Sequence, residues 1–181
     1  AGEAGEPITP MPSAALGRGF CDEEIAAALT DAAVPHERPA DLAAAVGDAL
    51  AGNQLVGWFQ GRAEFGPRAL GQRSLLADPR RIENLERLNN VKGREQFRPV
   101  APMVLAERAG EIFSGGPLPS PYMLFVHDVA DGWRPKIPAV THVDGTARIQ
   151  TVGRDNPLLH ATISRFAAHT GVPVIVNTSF N

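Results

Sequence analysis

The sequence predicts an α/β protein built as a single domain. Three observations carry that expectation. Short apolar runs such as Leu55-Val56-Gly57-Trp58-Phe59 and Val172 to Val176 are bounded by turn residues, as buried strands are. Between them lie stretches whose apolar residues recur at helical spacing, for example Leu42, Val46 and Leu50. The 18 glycines and 16 prolines, about a fifth of the 181 residues, exceed the roughly 12% usual in globular chains and predict many loops.

Taken in order, residues 1–19 (AGEAGEPITPMPSAALGRG) read as an irregular lead-in. Asp22 is the expected N-cap of a short helix through Ile25, Ala28 and Leu29, with acids in its first turn to suit the helix dipole. Pro35 to Pro39 break the chain. Asp41 then starts a helix that Gly52-Asn53 ends. Leu55 to Phe59 is a strand, followed by a loop from Gln60 to Gly71. Leu75 to Ala77 is expected as a strand and Arg80 to Leu88 as a helix, with Ile82, Leu85 and Leu88 on one face.

Val100 to Leu105 reads as a strand, which Pro102 places at an edge or an interruption. A short helix follows over Ala106 to Phe113, then the turn-rich Ser114 to Pro121. Tyr122 to Val126 and Ala147 to Val152 are expected strands, separated by an irregular stretch and an Asp144-Gly145 turn. Asn156-Pro157 leads into a helix from Leu158 to Thr170, with Gly171 as its C′ residue. Val172 to Val176 is the last strand, and Asn177-Thr178-Ser179-Phe180-Asn181 is its polar exit.

Composition narrows the function classes. Seventeen Lys and Arg against 20 Asp and Glu give a net charge of −3, too weakly biased for a broadly basic nucleic-acid binder. One cysteine, Cys21, excludes an internal disulfide framework. No run approaches the ~20 apolar residues of a membrane span, and no leader pattern opens the chain. The expected setting is cytoplasmic, with small-molecule partners, no nucleic acid and no membrane. Histidines 36, 127, 142, 160 and 169 are scattered without metal-ligand spacing, so no protein-bound metal is expected.

Four loops concentrate polar chemistry. Gly61 to Ser74 places three arginines, one glutamate and three glycines just beyond a buried strand. Arginine forks match phosphate and carboxylate oxygens, and glycines let backbone approach them. The alternative is a solvated loop whose arginines pair with Glu64 and Asp78. Lys92-Gly93-Arg94-Glu95-Gln96-Phe97-Arg98 would bring Lys92 and Arg98 to one polyanion if it folds back; otherwise it is an exposed charge run. His142 to Arg148 (HVDGTAR) offers Arg148 at a strand start, and Asp144 with Thr146 for a cation or hydroxyl, although the turn explains most of it. The exit Asn177 to Asn181 can hydrogen-bond a nucleobase, ribose or phosphate.

Together these loops resemble the C-terminal, YrdC-like domain of the O-carbamoyltransferases of nodulation-factor, cephamycin and aminoglycoside tailoring. The resemblance starts at Gly57 to Gly71 (GWFQGRAEFGPRALG) and continues in order. It runs through Arg73-Ser74, Asp78-Pro79-Arg80, Asn90 to Glu95, Phe97-Arg98-Pro99 with Ala101-Pro102, His142 to Arg148 and Asn177 to Asn181. It implies an open, twisted, mixed sheet flanked by helices over residues 50–181, cut short at its C-terminus, with residues 1–49 as a lead-in whose short helices pack onto it.

The resemblance also implies that this lobe joins carbamoyl phosphate with ATP, carried with Mg2+, into carbamoyl-adenylate. A missing N-terminal lobe of the same polypeptide, of sugar-kinase or Kae1-type fold, would pass the carbamoyl group to a hydroxyl acceptor. By family pattern Lys92 and Arg98 would bind carbamoyl and phosphoryl oxygens, and Arg148 and Arg68 would clamp phosphate. Arg73, Ser74, Thr146, Asn177, Thr178, Ser179 and Asn181 would orient the nucleotide. Two further readings stay open. One is a stand-alone threonylcarbamoyl-adenylate synthase or RNA-binding relative; the other is a domain that docks a partner and has no pocket between the loops.

Overall fold

A computed structural model of the chain describes residues 11–180. Asn181, one of the expected nucleotide contacts, lies outside the described residues. Among these residues the fold is α/β, with two sheets.

The larger sheet has five strands: β1 (Val56–Phe59), β2 (Arg73–Ala77), β3 (Ala101–Leu105), β7 (Gln150–Val152) and β8 (Val174–Ser179), in the order β1-β2-β8-β3-β7. Only the β3/β7 pair is parallel, so the sheet is mixed, as expected. A smaller antiparallel sheet holds β4 (Phe113–Ser114), β5 (Val126–Val129) and β6 (Thr146–Arg148). The helices are α1 (Asp22–Asp31), α2 (Leu42–Ala51), α3 (Glu83–Val91), the single turn α4 (Ala109–Ile112) and α5 (Pro157–Thr170).

The long helix α5 covers the large sheet with Leu159, Ile163 and Phe166, all fully buried. Its ends follow the sequence signals. The Asn156 side chain accepts from Leu159 N, and Gly171 closes the helix at φ 72°, a conformation that glycine adopts without steric cost. Helix α2 packs on α5 at Gly47, where a Cβ would meet Arg165 at 2.7 Å. Asp41 caps α2 through Ala44 N at 2.9 Å.

Asp48 of α2 ties the two helices together. It accepts from Arg165 at 2.6 and 3.0 Å and from His169 at 2.7 Å. The Arg165 hydrogen bonds, with help from His169, hold its carboxyl at about 2, below the ordinary 3.8. A depressed folded pKa contributes stability above the unfolded value and loses it as pH falls through the folded one. The stability advantage of the native chain over Asp48→Asn is therefore expected to be intact at neutral pH and to vanish between about pH 4 and 2. Thermal melts of both proteins across that range check it.

Several local expectations are corrected. Pro102 sits in an interior strand, but β3 pairs with β8 from Ala101 to Val104 and with β7 only from Met103 onward. Proline there has a strand neighbour on one side only, which spares the missing N–H. Tyr122 to Phe125 are not strand. Met123 has φ 54°, which breaks extended backbone, and β5 starts at Val126. Ala147 to Val152 is not one strand. The chain changes sheets at the buried Ile149, leaving β6 in one and β7 in the other. Helix α1 is capped one residue early, by Cys21, whose N–H donates to the Glu24 carboxylate at 2.8 Å. Helix α3 starts at Glu83, since Arg80 is held back by Asp78.

The polar exit is the correction with functional weight. Asn177, Thr178 and Ser179 belong to β8, between β2 and β3, and not to a loop. No helix among the described residues is long and apolar enough to cross a membrane.

Candidate functional site

The arginine-rich segment joins two antiparallel strands, β1 and β2, and is folded inward on Glu64. One Glu64 oxygen accepts from the backbone N–H of Leu70 at 2.7 Å, Gln72 at 2.8 Å and Arg73 at 3.3 Å. Gly71 has φ 94° and no room for a side chain: a Cβ would stand 2.6 Å from Leu159. Its carbonyl accepts from Trp58 Nε1 at 2.9 Å and Gln60 Nε2 at 2.7 Å. Ser74 Oγ, fully buried, accepts from Gly71 N at 3.2 Å. The loop is therefore built, not solvated, and Glu64 and Asp78 are not the partners of its arginines. Glu64 serves amides, and Asp78 pairs with Arg80 at 2.7 Å.

The three arginines divide the work. Arg62 donates to the carbonyls of Gly17 at 2.8 Å and Leu16 at 2.7 Å, fastening the lead-in alongside. Arg73 donates to the carbonyls of Gln60 and Gln72 at 2.6 and 2.9 Å, and lies 3.5 Å over the Phe59 ring. Arg68, half-buried, makes no hydrogen bond or ion pair among the described residues. It lines a cleft of about 360 Å³ together with Arg73, Pro67, Ser179 and Phe180.

Of the other expected cations, Lys92, Arg98 and Arg148, none lines this cleft, and Lys92 reaches it through Ser179. Lys92 follows α3 and reaches β8, donating to Ser179 Oγ at 2.9 Å and to the Ser179 carbonyl. Burial, and then the charge of Arg94, lower its pKa. The loop after Lys92 is pinned by Asn89, fully buried on α3. Asn89 accepts from Arg94 Nε at 2.6 Å and donates to the carbonyls of Gln96 and Arg98 at 3.2 and 3.1 Å. Burial and the Arg98 charge lower the pKa of Arg94, so the three cations are neighbours in the order Lys92, Arg94, Arg98. Arg98 itself is half exposed and pairs with Glu95 at 2.9 Å.

Arg148 comes from β6. Its Nε is buried and has no hydrogen-bond partner among the described residues. Burial lowers its pKa first, and the charge of Arg68 second. Arg148 and Arg68 are thus two half-buried guanidiniums near enough for their charges to repel, an arrangement that an entering anion would relieve.

Asn177 does not face the cleft. It is fully buried, donating to the Ala69 carbonyl at 2.7 Å and to Gln150 Oε1 at 2.9 Å, and so holds the turn that carries Arg68. Thr178 is nearly buried in β8. Thr146 stands two residues from Arg148 on the same face of β6 and bonds Asp144 and His142. The structure therefore joins Arg68, Arg73 and Ser179 in one cleft, sets Lys92 against Ser179, brings Arg148 within electrostatic reach of Arg68, keeps Arg98 on Glu95 outside the cleft lining, and leaves Ser74 and Asn177 buried in hydrogen bonds to the loop. Sequence reasoning missed Arg94, Asn89 and Gln150. The signal for Asn89 was an asparagine among the apolar residues on the inner side of α3. No three His, Cys, Asp or Glu side chains among the described residues group as a metal site.

Residues 47–181 match the family model described as "Carbamoyltransferase C-terminus". The chain belongs to that family. Nodulation protein NolO of Bradyrhizobium diazoefficiens is 48% identical over 149 residues, covering 80% of this carbamoyltransferase C-terminal chain and 27% of NolO. The 3'-hydroxymethylcephem-O-carbamoyltransferase of Amycolatopsis lactamdurans is 50% identical over 135 residues, 74% of the chain and 25% of the relative. The uncharacterized protein sll1178 of Synechocystis is 43% identical over 197 residues, 94% of the chain and 32% of that protein. This carbamoyltransferase C-terminal chain thus spans about a quarter to a third of the relatives' length.

Proposed function

We propose that this chain is the carbamoyl-activating lobe of an ATP-dependent O-carbamoyltransferase. Its substrates are carbamoyl phosphate and ATP, with Mg2+ entering on the nucleotide phosphates, where it needs few protein ligands. Water opens carbamoyl phosphate to carbamate and inorganic phosphate. A carbamate oxygen then attacks the α-phosphorus of ATP, giving carbamoyl-adenylate and releasing pyrophosphate. The rest of the polypeptide, on its N-terminal side, passes the carbamoyl group to a hydroxyl acceptor.

The observation that carries this reading is the Arg148 Nε, buried and without a partner among the described residues, within electrostatic reach of Arg68, which lines the cleft. Arg68 and Arg148 clamp phosphoryl oxygens, and Lys92 and Arg98 bind the carbamoyl phosphate from the β8 side. Fixed guanidinium forks aimed at a developing phosphoryl charge stabilise its transition state without reorganising. Ser179, with Thr178 and Asn181, and Thr146 orient the nucleotide. Arg73 lines the cleft while its fork holds the loop carbonyls, and Ser74 and Asn177 hold the loop from behind.

The relatives, three to four times longer than their matched segment, support a larger polypeptide.

Exchange of labelled pyrophosphate into ATP by the full-length enzyme tests the reading. Exchange that requires carbamoyl phosphate is expected. Its absence, under conditions where acceptor carbamoylation runs, overturns the adenylate mechanism.

A further inference from the structure

The His142 to Arg148 turn carries more order than a turn requires. Thr146 Oγ1 donates its single proton to Asp144 Oδ1 at 2.7 Å, and Thr146 N donates to the same oxygen at 3.0 Å. His142 Nδ1 lies 3.0 Å from Thr146 Oγ1. The hydroxyl proton is already committed, so the ring must be the donor, and the hydrogen bonds assign the Nδ1–H tautomer. His142 is held a second time by its backbone N–H, which donates to the Thr146 carbonyl at 2.7 Å. The lone pair on Nε2 is left unused: His142 makes no other side-chain hydrogen bond among the described residues.

The strand period places the partner of this ring, Thr146, on the same face of β6 as Arg148. Ala147 is fully buried, so Thr146 and Arg148 project from the other face of β6, with His142 bonded to the first of them. Arg148 in turn is within electrostatic reach of Arg68, which lines the cleft.

We infer that His142 is the general base toward the water that opens carbamoyl phosphate, an inference that rests on the reading proposed above. Water attacks the phosphorus held between Arg68 and Arg148. The new O–P bond forms as the P–O bond to the carbamoyl group breaks. The carbamoyl oxygen keeps that electron pair and leaves as carbamate, and the water proton passes to Nε2. Asp144, through Thr146, steadies the imidazolium that results, and the proton returns to solvent.

The charge environment keeps the ring ready to accept. Burial lowers the pKa of His142, Asp144 raises it, and Arg148 lowers it again. The other charged groups packed around the turn are Asp128, opposite Thr146 on β5, and Arg134, which would lie 2.8 Å from a Cβ at Gly145. The net direction is downward, so the free ring is neutral at pH 7 and the rate should fall as acid protonates Nε2.

The test is phosphate release from carbamoyl phosphate by the full-length enzyme as a function of pH. The Asn side chain of His142→Asn can still donate to Thr146 but offers no base. It should lower kcat by about 10²-fold or more, leave KM for carbamoyl phosphate nearly unchanged and abolish the acid limb of the profile. Unchanged kcat with an unchanged acid limb overturns the assignment, as does a rise in KM alone. Should the Asn variant fail to fold, Thr146→Val removes the tautomer anchor and carries the same test: kcat falls and the acid limb moves, or the assignment is wrong. Wild-type enzyme that neither releases phosphate nor exchanges pyrophosphate overturns the parent reading, and the base with it. Wild-type exchange with an indifferent His142 variant overturns the base alone.

Discussion

Replacing Arg148 with Met should lower carbamoyl-phosphate-dependent pyrophosphate exchange by about 10²–10³-fold, the range seen when one preorganised charge donor is lost. The side chain is similar in length and loses only the guanidinium. Arg148 holds a buried Nε that is unpartnered among the described residues and feels the charge of Arg68, so its removal relieves a like-charge repulsion and an unsatisfied donor. The variant should be at least as stable as the native protein in thermal melts, as residues kept for function at the expense of stability are when replaced. Arg148→Lys keeps the charge and discards the fork, and should recover only part of the rate. A large loss of stability in Arg148→Met would mark the arginine as structural.

The largest stability effect is expected at the Asp78–Arg80 pair. Asp78 is fully buried, and Arg80 grips it in bidentate fashion, Nη2 at 2.7 Å and Nε at 3.0 Å. The same guanidinium lies 5.5 Å over the Phe166 ring of α5. Arg80→Ala leaves a buried carboxylate without its cation, which costs about 3–5 kcal/mol. Urea unfolding of the variant measures it. Asp78→Leu combined with Arg80→Met removes both charges and should recover most of the loss, since the penalty belongs to the uncompensated ion and not to the missing pair.

Local signals carried much of the fold. The apolar Leu55 to Phe59 run, the Asp41 and Asn156 caps and the left-handed Gly171 each depend on a few neighbouring residues, and each stands where periodicity and cap chemistry put it. What escaped depends on distant partners. Pro102 is tolerated because β7 begins pairing one residue later, and the break at Ile149 exists only because two sheets meet there. Polar residues misled most, since Asn177 to Ser179 look like an exit while serving as a strand whose amide satisfies the Ala69 carbonyl.

The candidate site shows the same division. The cations Arg68, Lys92, Arg98 and Arg148 were legible as residue types that bind oxyanions. Which of them face a cleft was not. Arg62 and Arg73 belong to the same motif as Arg68, yet their forks are spent on backbone carbonyls. That distinction is set by how Glu64 folds the loop.

The proposed function requires Arg68 and Arg148 to clamp the phosphoryl group of carbamoyl phosphate. A crystal structure of the full-length enzyme soaked with inorganic phosphate, the product of that group, is the decisive experiment. Phosphate is expected between the two guanidiniums, within hydrogen-bond distance of Arg148 Nε and on the Lys92–Ser179 side of the cleft. Phosphate bound only elsewhere at saturating concentration, for example at the Arg80 and His169 pocket, or an Arg148 Nε turned onto a protein carbonyl, would contradict it.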